Sequence, residues 1–255
     1  MRQDINQYMF VISQLTTREI KRKYARSYLG VIWSVLNPLL SMALISLIFS
    51  QLFRRSIDNF PIYYLTGYIL WQAFYESTSS AMTSLVDNKA LLIKLKLPLD
   101  VFILARAYAS LVNLGFSSVA YIIMLIVFKV SFKWTMLLFP FIVLCLMLLS
   151  LGLCYLLAYA YVFFGDLRHL YGVALTLLMY LSAIFYPAEQ LKGPAYVIIQ
   201  LNPIYRYIHC LRKAVMYGAL PTWGELLQMV LWGVCMFAVG SLVFKKGKNK
   251  IMLRV

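Results

Sequence analysis

Arg18-Glu19-Ile20-Lys21-Arg22-Lys23-Tyr24-Ala25-Arg26-Ser27-Tyr28-Leu29-Gly30 runs without a break into the apolar stretch Val31 to Phe53. Five positive charges lie within nine residues, directly before a run longer than the roughly 20 residues that cross a bilayer. Basic flanks stay on the cytoplasmic side, so this junction predicts a cytoplasmic N-terminus. It also divides the chain into an N-terminal segment (1–30), a membrane domain (31–244) and a basic tail (245–255).

Composition agrees with that division. Hydrophobic residues make up 62% of the 255 and charged residues 13%, with a mean hydropathy of +0.78. A soluble domain is nearer 45–50% apolar and about 25% charged, so the excess must face lipid. The net charge of +15 raises nucleic acid as a partner, but its placement argues against it. Of 24 Lys and Arg, 15 fall in segments assigned to the cytoplasm, eight in external ones, and Arg106 sits inside a span. Charge clustered beside apolar helices sets topology and attracts anionic lipid headgroups. The four cysteines show neither metal-ligand spacing nor a disulfide framework, and His169 and His209 stand forty residues apart. The polar, basic first twenty residues lack the apolar core of a cleavable signal peptide.

Hydrophobic periodicity gives the organisation. Ile5, Tyr8, Met9, Ile12 and Leu15 form one stripe of an amphipathic helix, expected either in the membrane interface or against protein. Six spans follow, at about 31–53, 62–86, 101–128, 134–164, 170–186 and 226–244. The even count returns the C-terminus to the cytoplasm, where Lys245-Lys246-Gly247-Lys248-Asn249-Lys250 obeys the same charge rule. Between Pro187 and Gly224 (187–224), the apolar pieces are too short to cross and are broken by Gly193-Pro194, Asn202-Pro203 and Pro221. The expectation there is short re-entrant helices on the outer side, or a hairpin lying on that surface.

No phosphate-binding loop, nucleophile elbow or zinc-binding His pair occurs in the sequence. Transport against a gradient must then draw its energy from another chain. The second cytoplasmic loop (87–98) suits a docking role. Asp87-Asn88 is a good N-cap pair, and the two-turn run after it carries Leu91, Leu92 and Leu95 between lysines before Pro98 ends it. The plainer reading is a connector whose lysines set topology.

Polar residues inside spans are expensive in lipid, so their placement is informative. On the second span Tyr64, Tyr68, Trp71, Gln72, Tyr75, Glu76, Ser79 and Thr83 recur at steps of three and four. The third span places Arg106, Ser110, Asn113 and Ser117 in the same way, and the first adds Asn37 and Ser41 beside Pro38. Aromatic faces with hydroxyls suit sugars, which stack C–H faces on rings and hydrogen-bond through their hydroxyls. Polar glue between helices is the alternative for any single residue. At 1.5 Å per residue, Glu76 and Arg106 lie roughly 15 and 9 Å from the cytoplasmic ends of their spans, which predicts an ion pair between them, with contact to substrate along the path as the alternative. Phe163-Phe164-Gly165-Asp166-Leu167-Arg168 closes the fourth span.

The first junction carries a more specific pattern: basic-Tyr-x-x-Ser-x-Leu-Gly-x-x-Trp-x-x-Leu-Asn-Pro, from Lys23 to Pro38. It resembles the start of the first membrane helix in polysaccharide-export permeases. These are the membrane subunits of ATP-binding-cassette exporters of O-antigen, capsule and teichoic-acid-like polymers. The turn from Phe163 to Arg168 is similar to one in the same family, although Leu167 separates Asp166 from Arg168. The resemblance implies an all-α, six-span membrane protein with an interfacial helix and short re-entrant outer helices. It implies a homodimer around a shared pore with two separate ATPase subunits, which bind the ATP and Mg; the chain itself binds no cofactor and is no enzyme. It places the protein in the bacterial plasma membrane, exporting a lipid-linked glycan. Tyr24, Arg26 and Tyr28 would lie at the cytoplasmic mouth, and the loop from Asp87 would dock on the ATPase. Export of a drug, peptide or small lipid by a related permease stays open at this point. A membrane-embedded glycan-modifying enzyme would need a His, Asp or Glu cluster at a membrane face, and none is found.

Overall fold

A computed structural model describes residues 2–25, 27–52, 57–95 and 97–254, and in these every regular element is a helix. They are α1 (Arg2–Tyr24), α2 (Ile32–Leu52), α3 (Phe60–Met82), α4 (Ser84–Asp87), α5 (Lys89–Leu95), α6 (Asp100–Val127), α7 (Phe139–Phe163), α8 (Leu167–Leu181), α9 (Pro194–Leu201), α10 (Pro203–Arg212) and α11 (Trp223–Arg254). A 3₁₀ turn, Trp134–Leu138, leads into α7, and a π-turn, Lys213–Tyr217, ends α10.

The helices α2, α3, α6, α7, α8 and α11 alternate in direction. Phe60 at the start of α3 stacks on Phe49 near the end of α2, so the two run antiparallel. Thr66 meets Tyr121, and Glu76 meets Asn113, so α6 reverses α3. Tyr121 stacks on Phe139, which sets the start of α7 beside the end of α6. At the start of α8, Tyr171 donates to Thr78 late in α3. Just past its end, Ala183 shares Arg212 with Tyr63 early in α3.

The last pair is fixed by glycine. Gly152 of α7 packs against Met236 and Gly240 of α11, while Gly233 approaches Cys145 and Gly247 approaches Tyr159. Residues 145, 152 and 159 thus face 233, 240 and 247 in the same order, so α7 and α11 run parallel. Both chain ends consequently lie at one end of the bundle. There Ile12 and Leu15 of α1 are buried with Phe102, Phe244 and Ile251, and Lys248 holds Asp100 at 2.6 Å.

Several sequence boundaries shift. Four segments, Ile32–Gln51, Asp100–Val127, Trp134–Phe163 and Trp223–Arg254, are long and apolar enough to cross a membrane. The second span expected at 62–86 breaks at Met82, because Thr83 caps α3 and a separate turn, α4, begins at Ser84. The fifth, α8, has only 15 helical residues. The tail expected at 245–255 is no loose end: α11 continues through it to Arg254, with Gly247 and Ile251 buried. The α1 stripe divides: Ile12 and Leu15 pack on protein, whereas Met9 is exposed.

The segment 187–224 is the larger surprise, because α10 is a core element. Tyr205, Tyr207, Ile208, Cys210 and Leu211 are all buried, and the Tyr207 hydroxyl donates to Met229 O at 2.7 Å. At its end Arg212, 4% exposed, donates to Tyr63 O, Ala183 O and Ile184 O at 2.9–3.3 Å. Its guanidinium also lies 3.4 Å from the centroid of the Tyr63 ring. Ala183 has positive φ, so the chain turns sharply just past α8 and exposes carbonyls that only a buried donor satisfies.

Candidate functional site

The helix α3 supplies the site's main wall. Asn59 accepts from Ile62 N–H and Pro61 sits in the first turn, so the helix starts cleanly and keeps one register to Met82. Leu70 and Phe74 are buried on its inner side. Gln72, Glu76 and Ser79 are half-buried and Tyr75 is 42% exposed, so the polar face is the open one.

That face lines a groove of about 1050 Å³, enclosed further by α1, α6 and the first half of α8. Gln72, Tyr75, Glu76, Ser79 and Thr83 of α3 meet Asp87, Arg106 and Asn113 there. A smaller polar recess of about 280 Å³ adjoins it, where Asn37, Tyr24, Trp33, Ser34 and Ser117 join Gln72, Glu76 and Asn113. The two share a polar wall. Asn113 Nδ2 donates to Glu76 Oε2 at 3.0 Å, Gln72 Nε2 to Glu76 Oε1 at 2.9 Å, and Tyr24 Oη to Asn113 Oδ1 at 3.1 Å. Tyr24 also shares a short hydrogen bond with Ser34.

The expected ion pair does not form. Glu76 takes Lys23 of α1 at 3.0 Å, and Arg106 takes Asp87 at 2.8 Å, with Glu19 at 3.6 Å. The two spans bring Glu76 beside Asn113, two turns beyond Arg106, so depth counted from unequal helix ends misjudged the register. The two pairs differ in strength. Lys23 and Glu76 are 43% and 22% exposed, which leaves their pair worth roughly 0.2–1 kcal/mol. Arg106 is nearly enclosed, and stripping its partner would leave a buried charge at a cost of about 3–5 kcal/mol.

Other expectations also divide. Tyr68 faces away from the large groove: its ring stacks on Tyr64 at 5.3 Å and its hydroxyl reaches Ser41 at 3.5 Å. Tyr28 is fully exposed, whereas Tyr24 is drawn into the recess; Arg26 lies outside the described residues. Asp87 and Asn88 do not cap α5 with their side chains. Asp87 is spent on Arg106 and Thr83, and Asn88 donates to Ser84 O and accepts from Arg18, leaving its backbone carbonyl for Leu91 and Leu92. On α5, Leu92 is buried and Leu91 half-buried. The side chain of Leu95 lies outside the described residues.

Sequence reasoning missed Glu19, Arg22, Lys23, Arg168, His169 and Tyr171, all of which line the groove. The spacing of Glu19 and Lys23, one turn apart on a helix that enters the membrane domain, was a usable signal. So was Arg212, a charge inside an apolar stretch.

Chemically, the groove offers hydroxyls, amides, acidic and basic side chains and one open tyrosine ring amid span-length apolar helices. The chain is 26% identical over 249 residues to the O-antigen export system permease protein RfbA of Myxococcus xanthus, covering 97% of this chain and 96% of that one. It is 25% identical over 248 residues to an O-antigen export system permease protein RfbA of Klebsiella pneumoniae, covering 95% and 94%. It is 22% identical over 247 residues to the polysialic acid transport protein KpsM of Escherichia coli, covering 94% and 95%. Residues 11–216, which include every wall of the groove, match the ABC-2 type transporter family, and the chain belongs to it.

Proposed function

We propose that this chain is the membrane-spanning permease subunit of an ATP-driven exporter, moving a lipid-linked polysaccharide across the bacterial plasma membrane. The observation that carries the reading is the polar groove along α3, set among apolar helices and continuous with the Asn37–Asn113 recess. Relatives alignable over almost the whole chain bear the names of O-antigen and polysialic acid transport proteins, which supports a glycan as cargo. The six alternating helices are the six spans, with both termini cytoplasmic, and α9 and α10 form the re-entrant outer segment. Two copies enclose the path between their grooves. Two separate ATPase subunits bind ATP and Mg and dock on α5, where half-buried Leu91 supplies the apolar contact and Leu92 packs into the chain's own core.

Thiol reactivity tests this directly. Single cysteines at Gln72, Tyr75 and Ser79, in a chain lacking its four native cysteines, should react with a small water-soluble reagent while the ATPase turns over. Cysteines at Leu70 and Phe74, buried on the other side of α3, should stay protected. Equal protection of both sets during turnover would make the polar face a helix contact and refute the path.

A further inference from the structure

Arg106 finds counter-charges on two separate elements. Its Nη2 donates to Asp87 Oδ2 at 2.8 Å, and its Nη1 to Thr83 Oγ1 at 2.8 Å and Ser80 O at 2.5 Å. These three acceptors surround the break between α3 and α4, where the loop carrying α5 begins. Its Nε, buried, has no hydrogen-bond partner among the described residues and points toward Glu19 Oε2 of α1, 3.6 Å away. Next to Glu19, Arg18 reaches Asn88 on the same loop. One turn further along the same face of α1, Lys23 holds Glu76 at 3.0 Å inside the groove.

Asp87 and Glu19 thus approach one guanidinium at different nitrogens, and Arg106 bridges the loop to α1. Arg106 is too buried to go without a counter-charge, so withdrawal of Asp87 leaves Glu19 as its carboxylate partner. We infer that Arg106 is the residue that transmits movement of the α4–α5 loop to α1, and through α1 to the groove. In the present arrangement it is committed to Asp87 and only approaches Glu19. When the loop draws Asp87 away, the free Nε closes on Glu19 and shifts α1 along Arg106. The weak link on that helix is the water-exposed Lys23–Glu76 pair, so that is where the groove wall parts. Arg106, placed on sequence grounds in the substrate path, is on this inference a positioning residue. The inference rests on the reading that the loop docks on the ATPase.

Opposite locked states test it. The probe is a single cysteine, Ser79→Cys, in the cysteine-free chain co-purified with its ATPase in nanodiscs. Labelling rates are compared without nucleotide and with ATP plus vanadate. The parent should show at least a tenfold difference between the two. Glu19→Gln removes the second counter-charge, so its labelling should stay at the nucleotide-free rate in both conditions. Asp87→Asn releases Arg106 to Glu19, so its labelling should stay at the trapped rate. A merely structural role would lower the yield of both variants but leave the nucleotide response of the surviving protein intact. The docking reading is scored separately, by whether Leu91→Asp loses the ATPase on purification. If both variants keep the ATPase and still show the parent's tenfold response, Arg106 transmits nothing and the inference falls.

Discussion

The parallel seam between α7 and α11 rests on the absence of side chains, and one methyl group tests it. A Cβ built on Gly240 would overlap the carbonyl of Gly152, lying 2.7 Å from its C and 2.9 Å from its Cα. Those are backbone atoms of a helix, so no rotamer change relieves the overlap. Moving from 2.7 Å to the 3.4 Å of ordinary contact separates the helices by at least 0.7 Å. A gap of about 0.5–1 Å forfeits a quarter to a half of each dispersion well of about 0.1–0.2 kcal/mol. Over the few tens of atom pairs along such a seam, the loss is about 1–3 kcal/mol, in the range of overpacking generally. Within a bilayer no hydrophobic gain offsets it, because lipid tails are as apolar as the core.

Gly240→Ala should therefore lower the melting temperature of the detergent-solubilised protein by about 2–12 °C, taking 2–4 °C per kcal/mol for a chain of this size. Gly115→Ala is the matched control. Its Cβ meets nothing within 4 Å on α6, so it should gain about 0.5–1 kcal/mol from helix propensity and melt slightly higher. Melting is read by fluorescence-detected size exclusion after stepwise heating. If Gly240→Ala melts with the parent, the close approach is wrong, and with it the evidence that α11 runs parallel to α7.

Topology reporters fused after Asn59 and Ser131 should report outside, and those after Lys94 and Lys248 inside; a reversed signal at Lys94 would remove the docking role of α5. Leu91→Asp should reduce both export and co-purification of the ATPase by at least tenfold while membrane insertion stays normal, since α5 lies beyond the bundle. Arg212→Gln should lower the melting temperature by about 5–10 °C, because carbonyls of Tyr63, Ala183 and Ile184 lose a charged donor at about 1.5–3 kcal/mol per bond before relaxation. Gly67→Ala should be milder, as its Cβ would press only on side chains, Arg212 at 2.9 Å and Ile208 at 3.3 Å.

Much of the fold was legible because lipid punishes polar atoms so uniformly. The basic run before Val31, the broken outer segment and the α3 face each followed from one rule about where charge and backbone can sit. Of that expected face, Gln72, Tyr75, Glu76, Ser79 and Thr83 line the groove, whereas Tyr64 and Trp71 are buried and Tyr68 turns away. What failed was pairing across helices. Glu76 and Arg106 were matched by depth, but depth depends on where each helix starts, and α3 ends four residues before the expected boundary. Lys23 was read only as a topology signal, although a lysine at the end of an amphipathic helix reaches about 6 Å from its backbone and can enter a groove. The role of α10 was hidden for a different reason: a short apolar piece after Asn202-Pro203 reads equally as a re-entrant helix or a surface hairpin, and only burial of Tyr205 and Tyr207 reveals a core helix.

The distribution of packing also says which parts of the groove are fixed. The wall formed by α3 and α6 is backed by α7, which the glycine seam ties to α11, so moving it would break dense apolar contacts. The opposite wall is held otherwise. Of the 15 residues of α8, only Tyr171 and Leu175 are buried, and its far end is gripped by the Arg212 hydrogen bonds to Ala183 and Ile184. The end of α1 beside the groove is held by Lys23, Tyr24 and Glu19, all through polar contacts. Local opening proceeds where few apolar contacts must be lost. On the proposed path, widening this groove costs least by displacing α1 and the near half of α8, with α3 as the stationary face and Arg212 as the pivot. Arg22, Lys23, Arg168 and His169 line that loosely packed side. That division of labour explains why the groove's polar residues are split between a rigid aromatic-hydroxyl face and a basic, loosely packed one.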